Sequence, residues 1–273
     1  MKNEAFVLDS HPFLTLEPLK VLDDRLIVGF STRSKGYSIE AYDSLNLGLH
    51  VQDEDSTVIE NRKKLADELQ FPLNRWVFSE QIHGSNIKKV SQKDCGSGTL
   101  QIKSAIEGCD GLFTKENNIL LASLYADCVP LYFYSTTNTI IGLAHAGWKG
   151  TVAKIGPEMV RKWTDEEEIP LNSIYVAIGP AISKECYEVD DFVISKVIEV
   201  LPEGSLMPFK KNGRGKYLLD LKELNVQLLL NIGIKPDHIF KSNFCTYTEK
   251  DLFYSYRRKQ QTGRMMSFIG RMD

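Results

Sequence analysis

The sequence predicts an α+β or mixed α/β fold that contains more than one layer of β-sheet. Strand-like and helix-like segments are interleaved, but they lack the regular β–α–β alternation of a Rossmann or barrel fold. Several predicted strands, such as residues 120–125 and 129–134, are nearly continuous apolar runs, which is typical of strands buried on both faces. The 273 residues include 42% hydrophobic residues and no evident linker or repeat, so we predict a single domain over residues 1–273.

The first predicted elements are a strand at residues 26–30 and a helix after it. Thr57 and Glu60 are spaced as in a capping box, which predicts that the helix runs from residue 57 to about residue 70. Arg62 falls on the apolar stripe of this helix, where a charge needs a partner or a ligand. The alternative is that the Arg62 stem covers the edge of the core while its charge reaches solvent.

The remainder of the chain is predicted as strands separated by three further helices. Pro157 suits the first turn of one helix, and Gly233 ends another. The predicted strands are 76–78, 87–90, 111–114, 120–125, 129–134, 139–144, 174–178, 238–241, 252–256 and 266–269, and the helices are 158–163, 192–201 and 221–232.

Composition and charge exclude several classes of protein. The net charge of −3 argues against a nucleic-acid partner, which would require a basic surplus. The most apolar stretch, residues 119–134, is too short to span a membrane and is interrupted by Asp127 and Pro130. Residues 1–5 do not resemble a secretory signal, and the five cysteines are widely spread. We therefore expect a cytoplasmic protein with reduced thiols and no membrane partner.

Three potential metal ligands stand at the ends of predicted buried strands. His83, Cys128 and His145 each adjoin a turn, and Gly84 and Gly147 would allow the backbone to approach a ligand closely. One thiolate and two imidazoles suit zinc, and three protein ligands leave a fourth position open. Their spacing is long and irregular, so the residues alone leave two interpretations. One is a zinc site; the other is two hydrogen-bonded histidines beside a structural thiol.

The segments around these three residues resemble a known family. Gln81-Ile82-His83-Gly84, Ala126-Asp127-Cys128-Val129-Pro130 and Ala144-His145-Ala146-Gly147-Trp148-Lys149-Gly150 together resemble the YfiH/YlmD family. That family has been labelled laccase-like polyphenol oxidase and is also described as zinc-dependent purine nucleoside enzymes. The departures are conservative, such as Lys149 where arginine is common. Further matching blocks lie at residues 45–50, 61–62, 109–111, 178–182, 186–189, 253–258 and 262–265.

The resemblance implies a fold, a cofactor and an activity. The fold is a layered αββα sandwich with mixed sheets, and His83, Cys128 and His145 are the catalytic zinc ligands. The implied reactions are phosphorolysis of adenosine, inosine, guanosine and S-methyl-5′-thioadenosine to free base and ribose 1-phosphate, and deamination of adenosine. The implied partners are purine nucleosides and phosphate.

Phosphorolysis needs cationic groups that bind phosphate, a task that suits the forked guanidinium of arginine. His50 is expected either near the pocket or as a structural histidine, and Asp110 either in a turn or orienting a ligand imidazole. Arg258 has the alternative of lying at a solvated strand end. The candidate substrate-binding residues are Asn46, Arg62, Asp127, Lys149, Arg258 and Arg264.

Three alternative functions use the same residues. A copper-dependent polyphenol oxidase would use the His-Cys-His set as a copper site, but the sequence has only five histidines and no His-x-His pair. A thiol hydrolase would use Cys128 as nucleophile and His145 as base. Some members of the resembled family are linked to cell-wall precursor quality control, so a hydrolase that edits such precursors is the third alternative. Metal analysis would separate zinc from copper and from the metal-free hydrolase.

Overall fold

The computed structural model describes residues 4–273, so three of the five residues considered for a secretory signal, Met1 to Asn3, lie outside it. The strands are β1 Phe6–Leu8, β2 Phe13–Leu16, β3 Leu26–Ser31, β4 Trp76–Phe78, β5 Ile87–Lys89, β6 Gly111–Thr114, β7 Leu120–Tyr125, β8 Val129–Ser135, β9 Ile141–Ala146, β10 Ile174–Ile178, β11 Glu188–Asp190, β12 Phe209–Lys211, β13 Lys216–Leu219, β14 Ile239–Lys241 and β15 Met265–Arg271. The helices are α1 Glu17–Leu22, α2 Asp55–Leu69, α3 Trp148–Val152, α4 Ile155–Arg161, α5 Asp191–Val200 and α6 Leu221–Asn231.

Two large mixed sheets organise the chain. The first has the strand order β1-β2-β3-β15-β7-β4, in which only the β4–β7 pair is parallel. The second has the order β14-β10-β8-β9-β6-β5 and is parallel at both of its edges. A small sheet, β11-β13-β12, accompanies them. The C-terminal strand β15 therefore lies inside the first sheet, between β3 and β7.

Apolar side chains fill three layers, which confirms the αββα sandwich. Between the sheets, Phe30 and Tyr125 of the first pack with Tyr132 of the second. The outer face of the first sheet is covered by α2, and that of the second sheet packs with α4 and α6. Along β8, Leu131 and Phe133 face the helices while Tyr132 and Tyr134 face the other sheet. Burial on both faces, predicted from the apolar runs, is confirmed.

The structure corrects several predicted elements. The capping box was wrong: α2 begins at Asp55, so Thr57 lies inside the helix, and no side chain caps its start. Residues 252–256 form turns and not a strand, because the Phe253 N–H donates locally to the Glu249 carbonyl. Helix α4 starts earlier than predicted, after Lys154 in a left-handed conformation. Strands β1 and β2, helices α1 and α3 and the small sheet were not predicted from the sequence. Across the described range, no helix has the length and apolar character needed to cross a bilayer.

Candidate metal centre

The structure brings His83, Cys128 and His145 together from three separate elements. His83 lies in the turn between β4 and β5, Cys128 in the turn between β7 and β8, and His145 near the end of β9. Their ligand atoms all lie within 4.8 Å of one another, and they are the one such group of three in residues 4–273. The β8–β9 register pairs Val129 with Ala146, which places the Cys128 turn beside His145.

The local backbone at this centre is unusual. His83 has φ of 61° and Asp127 has φ of 93°, so both occupy the left-handed region that costs energy for residues other than glycine. Such positions cluster at functional sites. Gly147 is required for another reason: a Cβ there would lie 3.1 Å from Cys128 Sγ and 3.5 Å from His83 Cδ2. A side chain at residue 147 would crowd the potential ligands.

Asp110 fixes both the His83 turn and the His145 ring. Its carboxylate accepts backbone N–H groups of Ile82 at 3.2 Å, His83 at 3.0 Å and Gly84 at 2.7 Å. Its Oδ1 also lies 2.8 Å from His145 Nδ1, which must donate because a carboxylate only accepts. Burial raises the pKa of Asp110, but the hydrogen bonds from His145 and Gly84 outweigh it and leave the pKa below its ordinary value. Asp110 therefore holds the turn and also orients the His145 imidazole, so its position agrees with both alternatives.

The half-buried Cys128 lies beside the buried His145, and each group shifts the pKa of the other. Burial raises the pKa of Cys128, but the adjacent His145 and His83 imidazoles lower it to about 6. Burial lowers the pKa of His145, but the Cys128 sulfur and the Asp110 carboxylate raise it to about 9. A preformed thiolate is the protonation state that a metal ligand requires.

This donor set fits a zinc ion. Because His145 Nδ1 is engaged by Asp110, Nε2 is the nitrogen left to bind a metal, and carboxylate support of this kind is usual for histidine ligands. Tetrahedral zinc with bonds of about 2.0–2.3 Å spaces its ligand atoms roughly 3.3–3.8 Å apart. The separations of up to 4.8 Å need only a small closure.

The three residues open on a cavity of about 580 Å³, a size usual for small-molecule sites. Its lining includes the apolar residues Leu49, Phe78, Ile102, Ala105 and Leu124. It also includes the polar residues His50, Arg62, Glu80, Gln81 and Arg264, together with Tyr256. Of these residues, Glu80, Phe78, Leu124 and Tyr256 were not anticipated from the sequence, because nothing local distinguishes them.

Arg62 lines this cavity, yet most of its donors are engaged with the protein. Its Nε and Nη2 donate to the Leu47 carbonyl at 2.9 and 2.7 Å. Its Nη1 donates to the carbonyls of Gly98 at 2.6 Å and Thr99 at 2.8 Å. The residue is 1% exposed, so the alternative in which its charge reaches solvent was wrong. Arg62 joins three segments of backbone behind the Phe78 ring, which lies 4.2 Å from its guanidinium carbon.

Arg264 and His50 present a different arrangement on the same wall. Arg264 donates only through Nη1, to its neighbouring Thr262 and Gly263 carbonyls, which leaves Nε and Nη2 without a hydrogen-bond partner among residues 4–273. Burial and the charges of Arg264 and Arg62 lower the pKa of His50 to about 4, so this imidazole is neutral at pH 7. The placement of His50 at the cavity agrees with one of its two expected positions.

The other four predicted substrate residues do not line this cavity. Asn46 bonds to Asp53 and to backbone groups of Gly48 and Arg264. Arg258 donates to three backbone carbonyls rather than ending a solvated strand. Lys149 is exposed, with its Nζ 5.8 Å from the Trp148 ring. A substrate role for each remains a prediction.

Asp127 has the partners that a carboxylate in an apolar run requires. It accepts the hydroxyls of Thr246 at 2.7 Å and Ser255 at 3.0 Å, and the Arg257 N–H at 2.7 Å. These contacts anchor the residue that precedes Cys128. Asp127 therefore positions the thiol through the backbone, and its own role toward substrate remains a prediction.

Comparisons with known proteins agree with this fold. A family model described as multi-copper polyphenol oxidoreductase laccase matches residues 27–272. "Purine nucleoside phosphorylase YlmD" of Bacillus subtilis strain 168 is 43% identical, covering 95% of this chain and 97% of the relative. The protein of the same name from Geobacillus stearothermophilus is 46% identical over 90% of each.

Solved structures share this fold over nearly their whole length. The crystal structure of YlmD from Geobacillus stearothermophilus superposes with a TM-score of 0.96 at 43% identity, covering 99% of this chain and all of that one. The Bacillus licheniformis hypothetical protein YfiH gives 0.94 at 43% identity, covering 98% and 99%. With this identity spread over nearly the whole length, the chain belongs to the YfiH/YlmD family, whose family model carries the laccase description.

Proposed function

We propose that this protein is a zinc-dependent purine nucleoside phosphorylase that acts on adenosine, inosine, guanosine and S-methyl-5′-thioadenosine. The observation that carries the proposal is a His-Cys-His group opening on a cavity that is lined by apolar side chains and a partly unpaired arginine. The names of the relatives support the reaction class. A purine is a flat group that suits the apolar lining residues, and phosphate suits the arginine.

In phosphorolysis, a phosphate oxygen bonds to C1′ of the ribose while the bond from C1′ to the purine nitrogen breaks. We assign phosphate binding to Arg264, because its Nε and Nη2 form an unpaired fork edge in the cavity wall. His50, neutral at pH 7, contributes a hydrogen bond to the same anion. Arg62 stabilises this part of the cavity through its contacts with backbone carbonyls. Its one remaining N–H contributes less to phosphate binding than Arg264 does.

Zinc bound by His83, Cys128 and His145 would supply a Lewis acid beside the substrate. Asp110 holds the His145 ring in one tautomer, and Gly147 leaves space for the ligands. Zinc is proposed instead of copper because, of the other three histidines, only His50 lies at the cavity. His11 pairs with Glu68, and His238 bonds to the Ile174 carbonyl. They do not form the histidine cluster of a multi-copper oxidase.

We propose adenosine deamination as a second reaction of the same cavity. Replacement of the purine amino group by water needs a group that transfers protons. Glu80 is the one carboxylate among the residues lining the cavity, and its Oε2 is 3.3 Å from the Gly108 nitrogen. It is the residue we assign to proton transfer.

The deciding experiment is chromatography of the products from saturating adenosine, with and without phosphate. Adenine and ribose 1-phosphate should appear only with phosphate, whereas inosine should appear in both buffers. Inosine as substrate should give hypoxanthine only with phosphate. Free base formed equally in both buffers would identify a hydrolase and exclude phosphorolysis.

Two variants test the assignment of the phosphate site. Arg264→Met should raise the apparent KM for phosphate about 10- to 150-fold, the equivalent of roughly 1.5–3 kcal/mol for a charged hydrogen bond. Lys149→Met is the matched control, since it removes an exposed cation outside the cavity lining and should leave that KM unchanged. The opposite pattern would transfer phosphate binding to Lys149.

A specific observation favours a second candidate, the thiol hydrolase. The hydrogen-bonded series Cys128–His145–Asp110 has the order of a nucleophile, base and orienting carboxylate. Its substrate class would include the amide bonds of cell-wall precursors. Cys128→Asp separates the two, because aspartate can bind zinc but cannot act as a thiolate nucleophile. Retained zinc with residual turnover supports the metal enzyme; full activity of the wild-type protein after chelation supports the thiol hydrolase.

A further inference from the structure

Two cysteines outside the metal centre lie side by side although they are far apart in sequence. Cys186 ends a short 3-10 turn between β10 and β11, and Cys245 lies in the loop after β14. The backbones run together, with a bridge between Ala181 and Cys245 and a hydrogen bond from the Thr246 N–H to the Ala181 carbonyl at 3.2 Å. The Cys245 Sγ accepts the Ser183 N–H at 3.3 Å, and the Cys245 side chain is close enough to Cys186 to influence its thiol.

We propose that Cys186 and Cys245 form a modification site, a dithiol that peroxides oxidise reversibly to an intramolecular disulfide. This site is separate from the cavity lining and does not depend on the proposed nucleoside chemistry. Proximity of two thiols on separate segments is the geometric requirement for such a bond. Disulfides of this kind in reducing compartments are usually transient and redox-sensing.

The two thiols are chemically unequal, which fixes the order of steps. Burial raises the pKa of Cys245, but hydrogen bonds from Ser183 and Thr248 outweigh it and leave the pKa below its ordinary value. Burial and the neighbouring Cys245 sulfur hold the pKa of Cys186 above its ordinary value, despite a hydrogen bond from Ser183. Cys245 is therefore the more readily ionised thiol, to which we assign the attack on peroxide, and Cys186 is the resolving thiol.

The reaction with hydrogen peroxide balances in two steps. The Cys245 sulfur bonds to one peroxide oxygen, the O–O bond breaks, and the departing hydroxide takes the thiol proton to become water. Cys186 then attacks the resulting sulfenic sulfur, the S–O bond breaks, and the second hydroxide takes the Cys186 proton. Two thiols and one peroxide give one disulfide and two waters, and the two electrons pass from sulfur to oxygen.

This disulfide would act on the segments that hold Asp127. Thr246, next to Cys245, donates its hydroxyl to Asp127 Oδ1 at 2.7 Å. The Ile182 N–H, four residues before Cys186, donates to the Asp127 carbonyl at 3.0 Å. Both loops therefore hold the residue that precedes Cys128. The disulfide would link them covalently and restrict their separation.

The test oxidises the metal-loaded protein with hydrogen peroxide, alkylates the remaining thiols and maps tryptic peptides without reductant. Peptides 185–196 and 242–250 should appear as one cross-linked species that dithiothreitol separates. Two of the five thiols should be lost in a thiol titration under denaturing conditions. Recovery of both peptides alkylated or singly oxidised, or cross-linked to Cys95, Cys109 or Cys128 instead, would overturn the proposal.

Two variants check the order of the steps. Cys186→Ser should lose the cross-link and accumulate a sulfenic acid at Cys245 that dimedone labels, whereas Cys95→Ser should cross-link as the wild type does. Cross-linking that is lost in Cys95→Ser would also overturn the proposal. Circular dichroism shows whether each variant is folded. If a variant does not fold, the peptide map of the wild-type protein alone decides whether the disulfide forms.

Discussion

Two buried carboxylates flank the candidate metal centre and hold its residues in different ways. Asp110, on the side of the second sheet, contacts the His145 ring directly and also ties down the His83 turn. Asp127, beside Cys128, contacts two hydroxyls and one backbone N–H but no potential metal ligand. Asp110 fixes the direction of a potential ligand atom, whereas Asp127 fixes only the backbone next to a potential ligand. Substitution of Asp110 should therefore lower metal affinity, whereas substitution of Asp127 should mainly lower the stability of the fold.

Asp110→Ala should have the largest effect. It removes the partner of His145 Nδ1 and leaves the N–H groups of Ile82, His83 and Gly84 unpaired. Loss of such a supporting carboxylate costs about 10- to 100-fold in metal affinity, and the loss of its hydrogen bonds also lowers the free energy of unfolding. Zinc competition titrations and urea unfolding measure the two effects. Asp24→Ala on the surface is the control, and equal zinc affinity in both variants would refute the role of Asp110.

Arg62→Met comes next and extends the comparison to the cavity. The Arg62 guanidinium donates to backbone carbonyls, and its removal leaves the carbonyls of Leu47, Gly98 and Thr99 without their donor. We expect a loss of about 3 kcal/mol in the free energy of unfolding, from the cost of unpaired buried groups. The KM for phosphate should change less than in Arg264→Met. A stable Arg62→Met protein with a raised KM would restore Arg62 as the principal phosphate ligand.

Asp127→Asn should destabilise the fold without releasing the metal. The amide keeps one accepting oxygen but places an NH₂ where the other oxygen accepted a hydroxyl or an N–H. The expected loss is about 1–3 kcal/mol in unfolding free energy, with zinc affinity reduced much less than in Asp110→Ala. Differential scanning calorimetry and zinc competition check this. A zinc loss as large as that of Asp110→Ala would remove the distinction between the two carboxylates.

Glu167→Gln should have the smallest effect on the free energy of unfolding. It provides a reference substitution at an ion pair far from the candidate metal centre. Glu167 accepts hydrogen bonds from Lys115 and Lys89, each 2.7 Å away, and although burial raises its pKa, these lysines bring the pKa below its ordinary value. A group with a lowered folded pKa stabilises above its unfolded pKa, and this contribution disappears as pH falls through the folded pKa. The variant should lose at most about 1 kcal/mol at pH 7 and nothing in strong acid. Urea unfolding at the two pH values measures it, and a loss that persists in acid would contradict the ion-pair explanation.

What the sequence could predict depended on local pattern. Cys128 and His145 stood out because each interrupts or ends an apolar run, and the layered fold followed from strands apolar on both faces. The partners of Arg62 could not be predicted, since Leu47 and Thr99 are distant in sequence and contribute only backbone carbonyls. Asp127 was recognised as needing partners, but Thr246 and Ser255 come from over a hundred residues away. Long-range hydrogen bonds of this type leave no periodic signal.

The position of β15 has a consequence for how the chain is made. Its neighbours β3 and β7 are synthesised long before it, yet each pairs with β15 across five or six residues. At about 5–20 residues per second, those strands wait on the order of ten seconds with their hydrogen-bonding edges uncovered. Unpaired strand edges of this kind recruit other chains and aggregate. The nascent protein should therefore depend on chaperones until its last strand leaves the ribosome and closes the gap in the sheet.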